Sequence, residues 1–261
     1  MIRPTFISRL LSTGSVLLAL AAVTPVMVHA QDGNAPKKEI SDTVSESLGK
    51  LQELTTAKDW PGALALINTQ LATAKPETYD TMVLSQIKVQ VLLTEERYAE
   101  AIPYMETSLR LGRTYNFMEQ RQFLEFNQIL SQLYFQEATD IKGVTAQDKR
   151  RKSDYLAKAY QAIKVYLAEN DAPTADSLSY AATMIYTQAT MDESNVDMTM
   201  LNEARGIAEQ GILLNLKPRE SFFVLILAAL QQEGKNKEAA EILELLIAQK
   251  PMGLFALIGI V

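Results

Sequence analysis

The chain has no cysteine in its 261 residues and a single histidine, His29. Without cysteine there is no disulfide framework, no thiolate nucleophile and no acceptor for a lipid on cysteine. His29 falls in an N-terminal leader described below. The mature chain therefore also lacks the residue type on which general-base catalysis and most zinc sites draw. Glycine and proline are sparse, at 11 and 9 residues. No stretch sustains the two-residue alternation of a half-buried strand, so an all-α fold is expected. Phosphate loops, nucleophile elbows and metal-ligand spacings are absent from the sequence. Carboxylates are plentiful, but Glu238 and Glu241 stand beside Lys235 and Lys237, the composition of a solvated helix face. Two working acids need separated environments and a pocket, and no pattern here marks one. No cofactor and no metal is expected.

What is present begins with Arg3 and Arg9, a mostly apolar run from Ser15 to Val28, and the small-residue ending Val28, His29, Ala30. This is the layout of a cleaved secretory signal peptide. The alternative is a membrane anchor. It is the weaker reading, because Pro25 interrupts the run and a span needs about 20 apolar residues. Removing the leader takes Arg3 and Arg9 with it, so the formal charge moves from −6 to −8. That acidity argues against a nucleic-acid partner. The expected localisation is exported and periplasmic, with the mature chain starting near Gln31 and no lipoprotein anchor.

Along the remaining chain, apolar residues recur at helical spacing in pairs of segments. The clearest pair is Ser221–Pro251. Phe223, Ile226, Leu227 and Leu230 share a face, Gly234 and Asn236 break the helix, and Ala239, Leu243 and Leu246 begin a second face that Pro251 ends. Leu48, Leu51 and Leu54 precede a turn at Asp59 to Gly62, followed by Ala63 and Ile67 and closed by Pro76. Leu84, Ile87, Val91 and Leu92 precede a turn at Glu95 to Arg97, then Ala101 and Met105; counting back from Ala101 sets Lys88 where the last pair has Ile226. Phe126, Ile129, Leu130 and Leu133 repeat the spacing of Phe223 to Leu230 and are followed by Ala159, Ile163 and Tyr166. Leu178, Ala181, Ala182 and Ile185 repeat it again, with Ala204, Ala208 and Gly211, closed by Pro218.

A small alanine where two helices touch and a proline closing the unit resemble the tetratricopeptide repeat, and the chain is read as an exported, bacterial-type member of that family. The equivalent alanines, Ala63, Ala101, Ala159, Ala204 and Ala239, are 38, 58, 45 and 35 residues apart, against about 34 for a regular unit. The excess falls in two turns, near Thr139 to Thr145 and in the acidic stretch Asp192 to Asp197. The expected architecture is a right-handed superhelical array of about five degenerate hairpins over residues 41–251, preceded by the signal peptide 1–30 and a flexible leader 31–40, and followed by an apolar tail, 252–261. HEAT-like helix pairs would share the small-residue contacts and stay open as an alternative.

The resemblance implies a scaffold that binds a protein or peptide partner along the first helices of its hairpins. The candidate groove residues are Asn127, Ser131 and Tyr134 in the third unit and Ser179, Thr183 and Tyr186 in the fourth. An amide or hydroxyl, a hydroxyl and a tyrosine recur on both, a ladder suited to an extended peptide backbone. The plainer reading has the two tyrosines filling gaps between helices. The basic clamp of chaperone-binding relatives is not found among the six. Lys149, Arg150, Arg151 and Lys152 follow Thr145 and Asp148, which resemble a capping box. Cations at a helix start are unfavourable, so the run is a candidate contact for an anionic lipid headgroup or acidic segment, or else plain solvated surface. The tail carries Leu254, Phe255, Leu257, Ile258, Ile260 and Val261 without a charge. It either folds back on the last hairpin or inserts into a partner or membrane surface. Two other functions stand beside the scaffold: a carboxylate-dependent exported hydrolase or lyase acting on cell-wall glycan, and a membrane-peripheral structural protein.

Overall fold

A computed structural model describes residues 36–192, 194–214 and 218–249. The expected signal peptide, Pro251 and the apolar tail 252–261 lie outside the described residues. Within them the chain is all-α, with ten helices. In order these are α1 (Asp42–Thr56), α2 (Trp60–Thr73), α3 (Tyr79–Thr94), α4 (Tyr98–Tyr115), α5 (Gln120–Asp140), α6 (Ala146–Glu169), α7 (Ala175–Ala189), α8 (Met198–Leu213), α9 (Glu220–Gln232) and α10 (Asn236–Gln249).

Local chemistry sets many of the helix starts. Ser41, Asp59, Thr78, Thr174 and Asp197 each turn a side-chain oxygen onto a backbone N–H of the first helical turn. Such caps are worth about 1 kcal/mol apiece. Thr145 and Asp148 make the full reciprocal capping box that their spacing predicts. The helix they open runs to Glu169.

The described residues separate into two compact units, one up to Asp140 and one from Ile141 onward. In the first, α1 packs on α2, α2 on α3, α3 on α4 and α4 on α5. In the second, α6 packs on α7, α7 on α8, α8 on α9 and α9 on α10, and α7 also touches α9. The unit boundary falls at the turn of the expected third hairpin, so α5 belongs to one unit and α6 to the other.

The turns inside three of the hairpins are built alike. After α1, α3 and α9 a single residue takes the left-handed conformation: Lys58 at φ 57°, Glu96 at 57° and Gly234 at 71°. The next residue's N–H then reaches back five positions: Asp59 to the Leu54 carbonyl (2.8 Å), Arg97 to Leu92 (2.8 Å) and Lys235 to Leu230 (2.9 Å). This Schellman closure satisfies carbonyls that the helix end leaves open. In each case a leucine stands four residues before the left-handed residue and an alanine five after it: Leu54 and Ala63, Leu92 and Ala101, Leu230 and Ala239. The repeat is thus legible in backbone geometry as well as in residue type.

All five equivalent alanines are buried: Ala63, Ala101, Ala159 and Ala204 are wholly inaccessible and Ala239 nearly so. A methyl group at these places lets two helix backbones approach closely. The same economy recurs at Gly211 of α8. There a β-carbon would lie 2.3 Å from the Phe222 ring of α9, so the missing side chain is the socket for that ring.

Lys88 is the one charged side chain buried in the first unit among the described residues. It is buried on α3, at the place that Ile226 takes in the last hairpin. Its ammonium donates to Asn68 Oδ1 of α2 (2.5 Å) and to the Tyr104 hydroxyl of α4 (2.6 Å), and lies 3.8 Å from the Tyr104 ring centre. A cation taken out of water needs such partners, and the two flanking helices provide them.

Candidate partner-binding surface

The two polar ladders have different surroundings. On α5, Asn127, Ser131 and Tyr134 are all buried. The Asn127 amide donates to the Phe123 carbonyl one turn back (2.8 Å), and the Tyr134 hydroxyl donates to the Glu106 carboxylate of α4. Their polar groups are engaged inside the protein, so these side chains are not displayed as an open ladder. The cause is α4, which packs on α5 and brings its own acid to the tyrosine.

On α7 the ladder is partly open. Ser179 is buried, with its hydroxyl 3.1 Å from that of Ser221 on α9. Thr183, one turn on, is exposed, its hydroxyl bonded to the Ser179 carbonyl (2.8 Å). Tyr186 is half-buried against the cluster of Ala189, Leu201 and Ala229. Burial holds its phenol above the ordinary tyrosine range, because the charged form is the one that loses hydration. One turn beyond Ser221, Val224 is also exposed, at 37%. The first helices of the last two hairpins thus lie side by side, joined by a hydroxyl pair and offering exposed Thr183 and Val224.

The basic run opens α6 as its capping box requires. Lys149, Arg150 and Arg151 are exposed and Lys152 is partly covered. The acidic turn between α7 and α8 lies within electrostatic reach. The carboxyl of Asp192 is held below the usual range, chiefly by the Ser194 hydroxyl and N–H, with a smaller contribution from the charge of Lys149. An anionic neighbour for the run is therefore supplied by the chain itself.

A feature that sequence reasoning missed is a cleft of about 340 Å³ between the end of α6, the following turn and α8, lined by Lys164, Leu167, Asp171, Glu203, Ile207 and Gln210 among others. Glu203 accepts a hydrogen bond from the Tyr160 hydroxyl (2.5 Å) and lies 3.7 Å from the Lys164 ammonium. Tyr160 is raised above its ordinary range by burial first and by that carboxylate second, and Lys164 is raised by its contact with Tyr160 and the charge of Glu203. The only sequence signal was an acid on α8 and a base on α6, which apolar periodicity ignores. Among the described residues there is no group of three or more His, Asp or Glu side chains that could hold a metal, and no helix long and apolar enough to cross a membrane.

No protein-family model matches the chain, and no curated protein matches it. Among solved structures it is similar to two crystal structures from Podosopora anserina of kinesin light chain, nearly identical TPR-like repeats, one of them a point-substituted form. Identity is 13% and 14%, the matches cover 80% and 81% of this chain and 96% and 97% of those chains, and the TM-score is 0.42 for each. The repeat assignment rests instead on the chain's own turns and buried alanines.

Proposed function

We propose that this protein is an exported, non-catalytic scaffold that uses its helical-repeat array to hold a protein or peptide partner in the cell envelope. The observation that carries the reading is the face shared by α7 and α9. Ser179 and Ser221 tie the two helices together, while Thr183 and Val224 stand open and Tyr186 presents part of a ring beside them. A hydroxyl, an aromatic edge and an aliphatic side chain on a rigid two-helix floor suit an extended peptide, whose backbone takes the polar contacts while its side chains take the apolar ones. Export rests on the Arg3-to-Ala30 pattern.

The test is gentle co-purification from an envelope fraction with the mature protein as bait, beside a Thr183→Arg, Val224→Arg double variant that melts at the same temperature. A specific partner should be retained by the first and lost by the second. Recovery of no specific partner, or equal recovery by both, overturns the assignment. After cell fractionation the protein should be found in the periplasm and its N-terminal sequence should start near Gln31; an uncleaved Met1 on protein confined to the cytoplasm overturns export.

A further inference from the structure

The shared turn geometry puts the first two hairpins and the last in one register, and in that register their surfaces differ. Leu227 of α9 corresponds to Leu51 and Val89, which are 3% and 2% exposed. Leu243 of α10 corresponds to Ile67 and Met105, both at 0%, and Ala240 to Leu64 and Ile102, at 8% and 7%. In the last hairpin Leu227 and Leu243 are only half-buried and Ala240 is exposed. Leu245, beside them, is 51% exposed. The difference has a location. In the internal hairpins the helix that follows in the chain lies against the second helix, α3 on α2 and α5 on α4. Among the described residues no helix follows α10.

The chain continues from α10 into a segment with a matching pattern. On α9 Phe222, Phe223, Leu225 and Ile226 are buried; α9 packs on α8, with the Phe222 ring seated at Gly211. The same spacing returns in Leu254, Phe255, Leu257 and Ile258, each 32 positions after its counterpart. That interval is close to the roughly 34 residues of one repeat. No charge interrupts the segment, so every side chain that would face the hairpin can be buried there.

We propose that residues 252–261 dock on the face of the last hairpin formed by Leu227, Ala240, Leu243 and Leu245, taking the place that α3 and α5 take on the internal hairpins. The segment is an intramolecular cover for a hairpin face that otherwise leaves apolar surface in water. This inference does not depend on the α7 and α9 partner surface.

The absence of native cysteine makes the test clean. In the full chain, Leu243→Cys is paired in turn with Leu254→Cys, Leu257→Cys or Ile258→Cys and oxidised mildly at low protein concentration. At least one pair should close within the chain about tenfold faster than a pair made with Glu241→Cys, an exposed position of the same helix, because docking raises the local concentration of one thiol at the other. A disulfide that forms only between chains assigns the face to a second copy and overturns the proposal, as does closure no faster than the Glu241 control. As a second measurement, Leu257→Asp in the full chain should speed amide exchange across α9 and α10 about tenfold and leave α1–α5 unchanged. Unchanged exchange in α9 and α10 also overturns the proposal.

Discussion

Two of the turns that join helices in this molecule differ sharply in length. The α3–α4 turn uses one left-handed residue and a Schellman closure. The α7–α8 turn uses eight residues from Thr190 to Asp197, held by the Asp197 N–H on the Ala189 carbonyl (2.9 Å) and by Ser194 on Asp192 (2.6 Å). Yet Ala101 and Ala204 reach the same wholly buried state after them. The helix contact, not the connection, is what the repeat conserves in space; the turn can lengthen outward without disturbing it.

The strongest way to break that comparison is to fill the contact. Ala101→Leu and Ala204→Leu should each cost about 1–3 kcal/mol through overpacking, read as a lower urea midpoint at unchanged slope. If Ala204→Leu were silent while Ala101→Leu was not, the contact after the long turn would be looser than its burial implies. A smaller effect is expected at the turns themselves. Glu96→Gly relieves a non-glycine residue at positive φ and should raise stability by about 0.5–1 kcal/mol, while Gly234→Ala should lower it by a similar amount. Opposite shifts in melting temperature check the pair. The smallest effect concerns the long turn. Asp192 has its folded pKa depressed, so its contribution to stability is full above the ordinary carboxylate range and is lost as pH falls through the depressed value. Ser194→Ala removes the main cause. It should therefore flatten the acid side of the melting profile and leave the Glu96→Gly gain untouched at every pH.

Much of the fold was legible in residue spacing, because helical periodicity and a small residue at a contact are local signals. The five alanines needed no structure to find, and Thr145 with Asp148 foretold how α6 begins. The faces were harder. Phe222 escaped notice while Leu227 was assigned to the buried side. The structure reverses their prominence, since Phe222 finds a socket at Gly211, contributed by another helix, whereas Leu227 has less covering it than its counterparts have. Tyr134 shows the same limit. A tyrosine one turn after a hydroxyl residue looks alike in sequence on α5 and α7, and it is Glu106, 28 residues away, that receives the Tyr134 hydroxyl inside. Lys88 was visible as an odd residue on an apolar face, but its partners lie on two other helices that periodicity cannot join.

Lys88 has a consequence for how the array assembles. Hairpins that share one spacing can pair out of order or slip by a helical turn and still match leucine to leucine, so near-correct stackings are the natural competitors of the native one. Most apolar contacts tolerate such slips. A lysine ammonium received by Asn68 and Tyr104 does not, because a placement between α2 and α4 without such partners strands a buried charge at a cost of several kcal/mol. Lys88 therefore works as a key cut for one lock, giving the otherwise interchangeable hairpins of the first unit a fixed address.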